Sequence, residues 1–317
     1  MRSSRHPIWL AGALALACAA CAPSAPPVTQ DGAAAAPVAD AAAVGEATGQ
    51  VHRFRIGALD AAVLRDGEFV LPNDGSILAI GQHKADVDAL LRGAGVETDP
   101  LRLSIQGLLV RSAAHVILFD TGYGTHDPAY GGTLMAALDE AGVDPAQVTD
   151  VFISHAHADH VGGLLDRDGQ PVFTAARIRM SAPEWAALQA DAERAPLVQA
   201  IASRVEVFAP GATQIVPGVS AVAVDGHTPG HSAYLVEDGD ARLLFLGDTA
   251  HHHVISVQRP RWTIQFDGDA PTAEASREAL LARLADEALD VSSPHFPFPG
   301  LGRVERRDDR FVWVPAP

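Results

Sequence analysis

The chain has 317 residues, 48% of them hydrophobic, and a formal net charge of −16 at pH 7. That length is ample for one large domain, or two small ones, with a proper core. Because an acidic surface repels phosphate groups, the composition disfavours nucleic acid and anionic lipid surfaces as partners.

Residues 1–21 have the pattern of a secretory signal peptide, with a basic start followed by an apolar run at residues 8–20. That run is too short to span a bilayer comfortably. The two cysteines of the chain, Cys18 and Cys21, lie here, and "LALAC" and "CAAC" resemble the end of a bacterial lipoprotein signal. Simple cleavage near residues 17–22 is the alternative. We expect an exported protein that is periplasmic or held at the membrane only by an N-terminal lipid anchor.

Residues 22–50 are predicted to be a flexible tether. They consist mainly of Ala, Pro, Gly, Thr and Asp, with almost no large apolar side chains. Such a segment cannot bury enough apolar surface to offset the entropy that ordering would cost. The folded domain is therefore predicted to cover residues 51–317.

Strand-like and helix-like patterns alternate along this domain. Strands are predicted at residues 51–71 (a pair, with a turn at Asp66-Gly67), 101–112, 115–122, 219–227, 232–239 and 241–248. Helical periodicity is found at residues 84–94, 132–141, 183–191 and 273–286. Strands followed by helices, twice over, predict a layered α/β protein with two sheets.

Histidine and aspartate residues follow several of the predicted strands. Four of them crowd into "SHAHADH" at residues 154–160, and the full set is His155, His157, Asp159, His160, His227, Asp248 and His295. Because no cysteine occurs after residue 21, a metal site in the domain must use histidine and carboxylate ligands. Loops at one edge of a rigid scaffold usually carry the functional groups of a protein. A histidine pair on a polar surface loop is the alternative, which the number of further donors makes improbable.

The donors suffice for two metal ions, since one catalytic zinc takes three protein ligands and keeps one position for water. The first set is His155, His157 and His227, the second is Asp159, His160 and His295, and Asp248 is the natural bridge between them. Two metals ~3.5–4 Å apart can share a hydroxide and hold both ends of a hydrolytic displacement. The pattern thus predicts two divalent ions, with zinc favoured, although iron, manganese and cobalt accept the same donors.

The motifs "HAHADH", "DGHTPGHS" and "FLGD", with His295 after a late strand, resemble those of the metallo-β-lactamase-fold hydrolases. The resemblance covers about residues 51–317. It implies an α/β fold, a four-layer αββα sandwich with the metal site between the upper edges of two sheets, and it carries over the ligands named above. It also implies that Asp120, in "LFDTG", is the hydrogen-bond partner of a ligand histidine.

Within that superfamily the chain most resembles the methyl parathion hydrolase-like branch, on stretches such as "TIQFDGD" and "HFPFPGLG". That branch implies an exported dinuclear hydrolase, with organophosphate triesters as substrates of its best-known member, while esters and lactones stay open. β-Lactamases that bind the second metal through cysteine are excluded. The cysteine-free β-lactamases remain an alternative, although they typically lack a bridging aspartate such as Asp248. Quorum-signal lactonases usually carry tyrosine where this chain has His251.

We expect a metal-bridging hydroxide, oriented by Asp159, to attack an ester, a lactone or a phosphotriester. His251 is predicted to donate a proton or contact the substrate, with a solvated loop as the alternative. Trp185, by resemblance, and Phe296, beside His295, are the predicted pocket residues for a small-molecule substrate. Two other classes remain open, a di-iron oxidoreductase and a metal-binding lipoprotein. The sequence leaves the oligomeric state undecided.

Overall fold

The computed structural model describes residues 47–125 and 129–317. The predicted signal peptide and the tether up to residue 46 lie outside these residues. The strands are β1 Ala47–Thr48, β2 Val51–Ile56, β3 Leu59–Leu71, β4 Leu78–Ile80, β5 Leu101–Arg111, β6 Val116–Phe119, β7 Asp150–Phe152, β8 Arg177–Ser181, β9 Val205–Phe208, β10 Val219–Ala223, β11 Ser232–Asp238, β12 Ala241–Phe245, β13 Thr263–Ile264, β14 Asp290–Ser292, β15 Leu301–Arg307 and β16 Arg310–Pro315. The α-helices are α1 Lys84–Gly93, α2 Leu134–Glu140, α3 Ala158–Val161, α4 Ala182–Ala190, α5 Ala195–Ile201, α6 Ile255–Gln258 and α7 Ala270–Glu287.

Most strands belong to two sheets. The first has the order β1-β2-β3-β5-β6-β7-β8-β9 and the second has the order β10-β11-β12-β14-β15-β16. Strands β6 to β9 run parallel, as do β12 and β14, and the other neighbours within the two sheets are antiparallel. A small ribbon of β4 and β13 stands apart from both sheets.

The two sheets pack face to face and carry helices on their outer sides. Rings from both sheets fill the core between them, among them Phe119 and Phe152 from the first sheet and Tyr234 and Phe245 from the second. Helices α2, α4 and α5 bury leucines against the outer face of the first sheet. Helix α7 does the same for the second, through leucines such as Leu281. The predicted four-layer αββα architecture is therefore confirmed.

The four helices predicted from periodicity correspond to α1, α2, α4 and α7, with ends that differ by at most three residues. Within the part of the chain that the structure describes, no helix has both the length and the apolar character needed to cross a bilayer.

The predicted turn at Asp66-Gly67 is wrong. Strand β3 continues through these residues, and its pairing with β5 shifts register between Arg65 and Gly67, which marks a β-bulge. The chain reverses earlier, between Ile56 and Leu59, where Gly57 has a φ of 58°. An Asp-Gly pair is compatible with both a hairpin turn and a β-bulge. Here Asp66 is buried in contact with other backbone segments, so the strand continues instead of reversing.

The sheet also begins earlier than predicted. Ala47 and Thr48 form β1 and pair with His52 and Val51 of β2. The backbone carbonyl of Gln50 accepts a hydrogen bond from the Arg65 amide at 2.9 Å. Ala47 and Thr48, assigned to the tether from their composition, therefore form a strand of the first sheet, and residues 49–50 form the turn into β2. Composition does not reveal this, because strand pairing uses backbone groups.

Candidate metal centre

All seven predicted ligands lie just beyond the carboxyl ends of strands. His155 and His157 follow β7 and lead into α3, which carries Asp159 and His160. The other three ligands, His227, Asp248 and His295, follow β10, β12 and β14. Since β6–β7 and β12–β14 are parallel pairs, these ends meet at the same edge of the sandwich, and the structure brings the seven side chains together there.

The first set is a triangle of imidazoles with converging nitrogens. His227 Nε2 lies 3.1 Å from His155 Nε2 and 3.1 Å from His157 Nδ1. His155 and His227 are buried, with 0% and 3% of their surface exposed. Ring nitrogens held so close together out of water need a proton or a cation between them.

The second set combines two imidazoles and a carboxylate. Asp159 Oδ2 lies 3.2 Å from His160 Nε2 and 3.4 Å from His295 Nε2. Both histidines are buried. A hard oxygen and two nitrogens are a donor set that suits zinc and other divalent first-row metals.

Asp248 lies between the two sets, with one carboxylate oxygen toward each. Its Oδ2 is 3.5 Å from His155 Nε2 and 3.3 Å from His227 Nε2. Its Oδ1 is 3.2 Å from His160 Nε2 and 3.0 Å from His295 Nε2. This is the arrangement expected of a carboxylate that bridges two cations.

The residues present fit two divalent cations. His160 Nε2 and Asp248 Oδ1 are buried and face each other without the geometry of a hydrogen bond, so neither has a hydrogen-bond partner among the described residues. Buried polar atoms of this kind are rare in folded proteins and indicate a ligand that completes them. Within each set the donor atoms lie within 4.8 Å of one another, close enough to bind one ion.

Hydrogen bonds on the far side of the rings fix how the imidazoles are turned. Asp120 Oδ2 lies 2.7 Å from His160 Nδ1, and Asp120 also accepts hydrogen bonds from the amide and the hydroxyl of Ser154. His295 Nδ1 donates to the carbonyl of Ser104 at 2.7 Å. A partner at one ring nitrogen leaves the other free to bind metal.

Asp267 and Arg277 support the first set and were missed in the sequence. Asp267 Oδ1 lies 3.0 Å from His227 Nδ1, and Asp267 Oδ2 accepts a hydrogen bond from Arg277 at 2.6 Å. Arg277 is buried in α7, where it also donates to the carbonyls of Thr249 and Pro260. The sequence offered part of this information, because the stretch "TIQFDGD" contains Asp267. Its ion pair with Arg277, ten residues later, becomes visible only in the folded structure.

Glu184, the neighbour of the predicted pocket residue Trp185, ties the two ligand loops of the first set together. Its carboxylate accepts hydrogen bonds from the amide of Ala156, between His155 and His157, and from the amide of Gly230 and the hydroxyl of Thr228 beside His227. Trp185 itself packs against the core on the outer face of the first sheet. Helix α4 therefore contributes to the centre through Glu184, which holds both ligand loops in place.

The backbone of Asp248 is held by His231. The Asp248 amide donates to His231 Nε2 at 2.8 Å, and His231 Nδ1 donates to the carbonyl of Val224 at 3.2 Å. Burial, together with the charge of His227, lowers the pKa of His231 to about 3, so the ring stays neutral and keeps its acceptor nitrogen. The second histidine of "DGHTPGHS" thus positions Asp248 through its backbone amide.

The ring pKa values differ across the centre. Burial lowers the pKa of His157 to about 4, and the charge of His227 adds to the effect. Burial acts in the same direction on His227, but its hydrogen bonds to Asp248 and Asp267 outweigh it and raise its pKa to about 8. Burial likewise opposes the raised pKa of His160, which comes from the three aspartates around that ring.

His251 lies inside the centre, so the alternative of a solvated loop is wrong for this residue. It is 2% exposed, its Nε2 is 3.1 Å from Asp248 Oδ2, and its ring stacks on His295 at 5.4 Å between centroids. Asp248, His251 and His295 also form a group able to hold a metal. Phe266 lies 5.6 Å from the His251 ring and is 38% exposed, so an apolar surface adjoins this histidine.

Phe296 does not line an open pocket. It is 0% exposed and packs edge-on against Trp313 at 4.8 Å, in the core on the outer side of the second sheet. Although it follows His295 in sequence, its ring points away into the core. The prediction that Phe296 contacts substrate is therefore wrong, because a fully buried ring leaves no surface for a ligand.

The model of the family described as the Metallo-beta-lactamase superfamily matches residues 103–295, a stretch that contains every predicted ligand. The chain belongs to this superfamily.

Among curated proteins, Lactamase-like protein aptB of Emericella nidulans is 30% identical over 171 residues, which is 54% of this chain and 48% of that protein. Hydroxyacylglutathione hydrolase of Pseudomonas syringae pv. syringae is 34% identical over 105 residues, 32% of this chain and 34% of that protein. The matches thus span about half the length of these relatives or less.

Two solved structures are similar over most of the chain. AidC, a dizinc quorum-quenching lactonase in complex with a product, superposes with a TM-score of 0.80 at 27% identity, covering 84% of this chain and 97% of that one. The hydrolase AbOPH of the beta lactamase superfamily gives a TM-score of 0.78 at 25% identity, covering 86% and 99%. Together with the family, these similarities support a metal-dependent hydrolase.

Proposed function

We propose that this chain is a dinuclear metal-dependent hydrolase of neutral esters and lactones, with phosphotriesters as further substrates of the same kind. The position of Asp248 carries the proposal, since each of its carboxylate oxygens faces a different ligand set. The two carboxylates Asp159 and Asp248 neutralise much of the charge of two divalent ions. The small positive charge left favours a neutral substrate that becomes anionic in the transition state.

Divalent ions bound here would act as Lewis acids and would lower the pKa of water, so that hydroxide forms near neutral pH. The chain's own residues provide orientation. Asp159 can accept a hydrogen bond from the attacking water, because its carboxylate is the one at the partly exposed side of the second set. Asp120 and Asp267 keep His160 and His227 in a fixed orientation.

We propose that His251 donates a hydrogen bond to the leaving oxygen as negative charge develops there. Burial lowers the pKa of His251, against the attraction of Asp248, so the ring is neutral and carries one N–H at pH 7. The exposed ring of Phe266 beside it offers an apolar contact for an acyl or aryl group. One preorganised hydrogen-bond donor at a developing oxyanion typically contributes ~10²–10³-fold to a rate.

The similarity to a dizinc quorum-quenching lactonase supports zinc and lactone hydrolysis. A place in the methyl parathion hydrolase-like branch remains our proposal, as do export through residues 1–21 and a lipid anchor at Cys18 or Cys21. Hydrolysis of β-lactams is disfavoured, because Asp248 reduces the positive charge that would attract a substrate carboxylate.

Metal analysis with a hydrolase panel tests the assignment. We expect about two metal ions per chain, and turnover of lactones, aryl esters or phosphotriesters but not of penicillins or carbapenems. Strong turnover of β-lactams with none of the other three classes would overturn the proposal. Metal binding without any hydrolysis would favour the metal-binding lipoprotein instead.

The His251→Phe variant tests the donor role. Its rate should fall far more on alkyl esters and lactones, whose leaving groups are poor, than on activated aryl esters or triesters. Metal content measured on the same samples controls for a ligand role, since His251 also belongs to a possible metal group. Equal losses on both classes of leaving group, with full metal content, would rule out the donor role.

A further inference from the structure

We propose that Asp66 is a positioning residue that fixes an aromatic wall beside the second ligand set, and thereby sets which apolar substituents the enzyme accepts. The aromatic wall consists of Phe69, Tyr123 and Tyr130. The inference rests on the proposed function, because it names the part of the substrate that the site selects.

The Asp66 carboxylate joins parts of the chain that are distant in sequence. It is 0% exposed and lies at the bulge of β3. One oxygen accepts the amide of Tyr123 at 2.7 Å, and the other accepts the amides of Gly132 and Leu134 at 2.9 Å and 2.8 Å. Burial raises the pKa of Asp66, and the three amide donors oppose this effect by stabilising the charged carboxylate.

Backbone contacts dock the same loop against the bulge from the other side. The amide of Glu68 donates to the carbonyl of Tyr130 at 2.8 Å, and the Thr133 hydroxyl donates to the carbonyl of Asp66 at 2.8 Å. Gly67 is required by this close approach, because a Cβ there would lie 1.8 Å from the Tyr130 carbonyl oxygen. The bulge and the segments around Tyr123 and Tyr130 therefore form one unit.

The three rings of the wall pack on one another and reach the metal ligands. Phe69 lies 5.8 Å from Tyr123 and 5.4 Å from Tyr130, and the two tyrosine rings are 5.9 Å apart. Phe69 also lies 6.4 Å from the ring of His295. Tyr130 is 40% exposed, so the wall meets solvent next to the second set.

The segment around Thr121 also contacts helix α3, which carries Asp159 and His160 of the second set. The amide and the hydroxyl of Thr121 each donate to the carbonyl of His160 at 2.8 Å. A Cβ on Gly122 would lie 2.5 Å from the Asp66 carboxyl carbon, so this segment is packed between Asp66 and α3. Loss of the carboxylate would therefore release the wall next to the reacting atoms.

Aromatic faces and edges favour an acyl chain or an aryl group over a charged substituent. A longer apolar substituent buries more of the wall, and each buried methylene contributes to binding. An asparagine at position 66 has one oxygen for three amide donors and turns an NH₂ group toward one of them. We therefore expect Asp66→Asn to weaken selection for long acyl chains.

The experiment compares p-nitrophenyl octanoate with p-nitrophenyl acetate, which share a leaving group and differ only in the acyl chain. In Asp66→Asn the octanoate-to-acetate ratio of kcat/KM should fall about tenfold or more, mainly through a higher KM for octanoate, while metal content stays near wild type. Hydrogen exchange at the Tyr123, Gly132 and Leu134 amides should accelerate. Asp60→Asn is the matched control on the same strand, since its side chain is 56% exposed, and it should leave the ratio unchanged.

Two further variants test the inference if Asp66→Asn does not fold. Thr133→Val removes the hydroxyl donor at an exposed position, and Tyr130→Ala shortens the wall; both should lower the same ratio. An unchanged ratio in the folded variants overturns the inference, as does an equal loss on both esters. If the wild type hydrolyses neither ester, nor any lactone or triester, the proposed function fails first, and that outcome is distinct from an active enzyme whose ratio does not respond.

Discussion

Three buried aspartates act on the histidines of the centre in different ways. Asp120 and Asp267 each hold one ring by its Nδ1 atom, whereas Asp248 faces Nε2 atoms from both sets. The side of the imidazole that a carboxylate contacts therefore separates the residues that orient a ring from Asp248, the proposed bridging ligand. We therefore expect replacements of these aspartates to differ in how much metal binding and activity they remove.

Replacement of the bridge should affect both ions. We expect Asp248→Ala to lose at least one of two bound metals and to retain at most about 1% of the activity, a loss at the upper end of the range for metal-site substitutions. Metal analysis and kcat/KM on the substrate found in the panel measure this. Asp240→Ala, at an exposed position just before β12, is the control. An Asp248→Ala protein that keeps two metal ions and the full rate would contradict the bridging role.

Replacement of an orienting residue should lower the affinity of the centre for metal. Asp267→Asn keeps the size of the side chain but removes the charge that fixes His227 and balances buried Arg277. We expect metal affinity of the first set to fall roughly 10–100-fold and the melting temperature to decrease. Asp225→Asn, exposed and two residues before His227, should change neither. Unaltered metal affinity in a folded Asp267→Asn protein would contradict this role.

At the scale of the elements, the proposed metal ligands lie on short segments that follow strands. The segment after β12 contains a glycine whose conformation it needs. Gly247 joins β12 to Asp248 with a φ of 52°. A Cβ at this position would lie 2.6 Å from His231 Nε2 and 2.9 Å from the Ser154 Cβ. The bridging carboxylate thus depends on a residue that has no side chain.

We expect Gly247→Ala to lose most metal binding and activity, because a methyl group would displace His231 from the Asp248 amide. The matched control is Gly239→Ala. Gly239 has a similar φ of 60° but open space around it, so it shares only the backbone cost of about 1–2 kcal/mol. Thermal melts and metal titrations of both variants separate the two effects. Similar behaviour of the two variants would show that the clash is relieved at little cost.

The elements show what the sequence could and could not predict. The layered fold and the seven donors followed from periodicity and from residues placed at strand ends, because both are local signals. The Asp66-Gly67 bulge, the Asp267–Arg277 pair and the role of Glu184 depend on contacts between distant segments, which no local pattern encodes. Phe296 was assigned to the pocket because it adjoins His295, yet neighbours along a chain can point in opposite directions.

At the scale of the whole molecule, neither ligand set is complete within one sheet. The first set needs His227, which follows β10 of the second sheet, and the second set needs His295, which follows β14 of the same sheet. His155 and His160 follow β7 of the first sheet. Cations bound at this edge would therefore link the two sheets in addition to the apolar core between them.

Metal uptake should release protons. The pKa of His227 is about 8, since hydrogen bonds to Asp248 and Asp267 outweigh the opposing effect of burial. In chelator-treated protein this ring is therefore mostly protonated at pH 7, and a metal must displace the proton. Above pH 8 the share from His227 should decrease, whereas His157, with a pKa of about 4, contributes none at either pH. Calorimetry in two buffers of different ionisation enthalpy measures the release, and its absence at pH 7 would contradict the assignment.

The division of the ligands between the sheets has a consequence for a chain cut in two. A cut after Pro210, between β9 and β10, leaves four donors in the first fragment and three in the second. The second fragment keeps Asp248, His251 and His295, but neither fragment alone retains the first or the second ligand set. The full complement of two zinc ions would therefore bind only to the reassembled pair and would strengthen their association by mass action. Mixed fragments should recover hydrolysis when zinc is added and lose it when a chelator is added. The metal ions would then hold the two fragments together as one active protein.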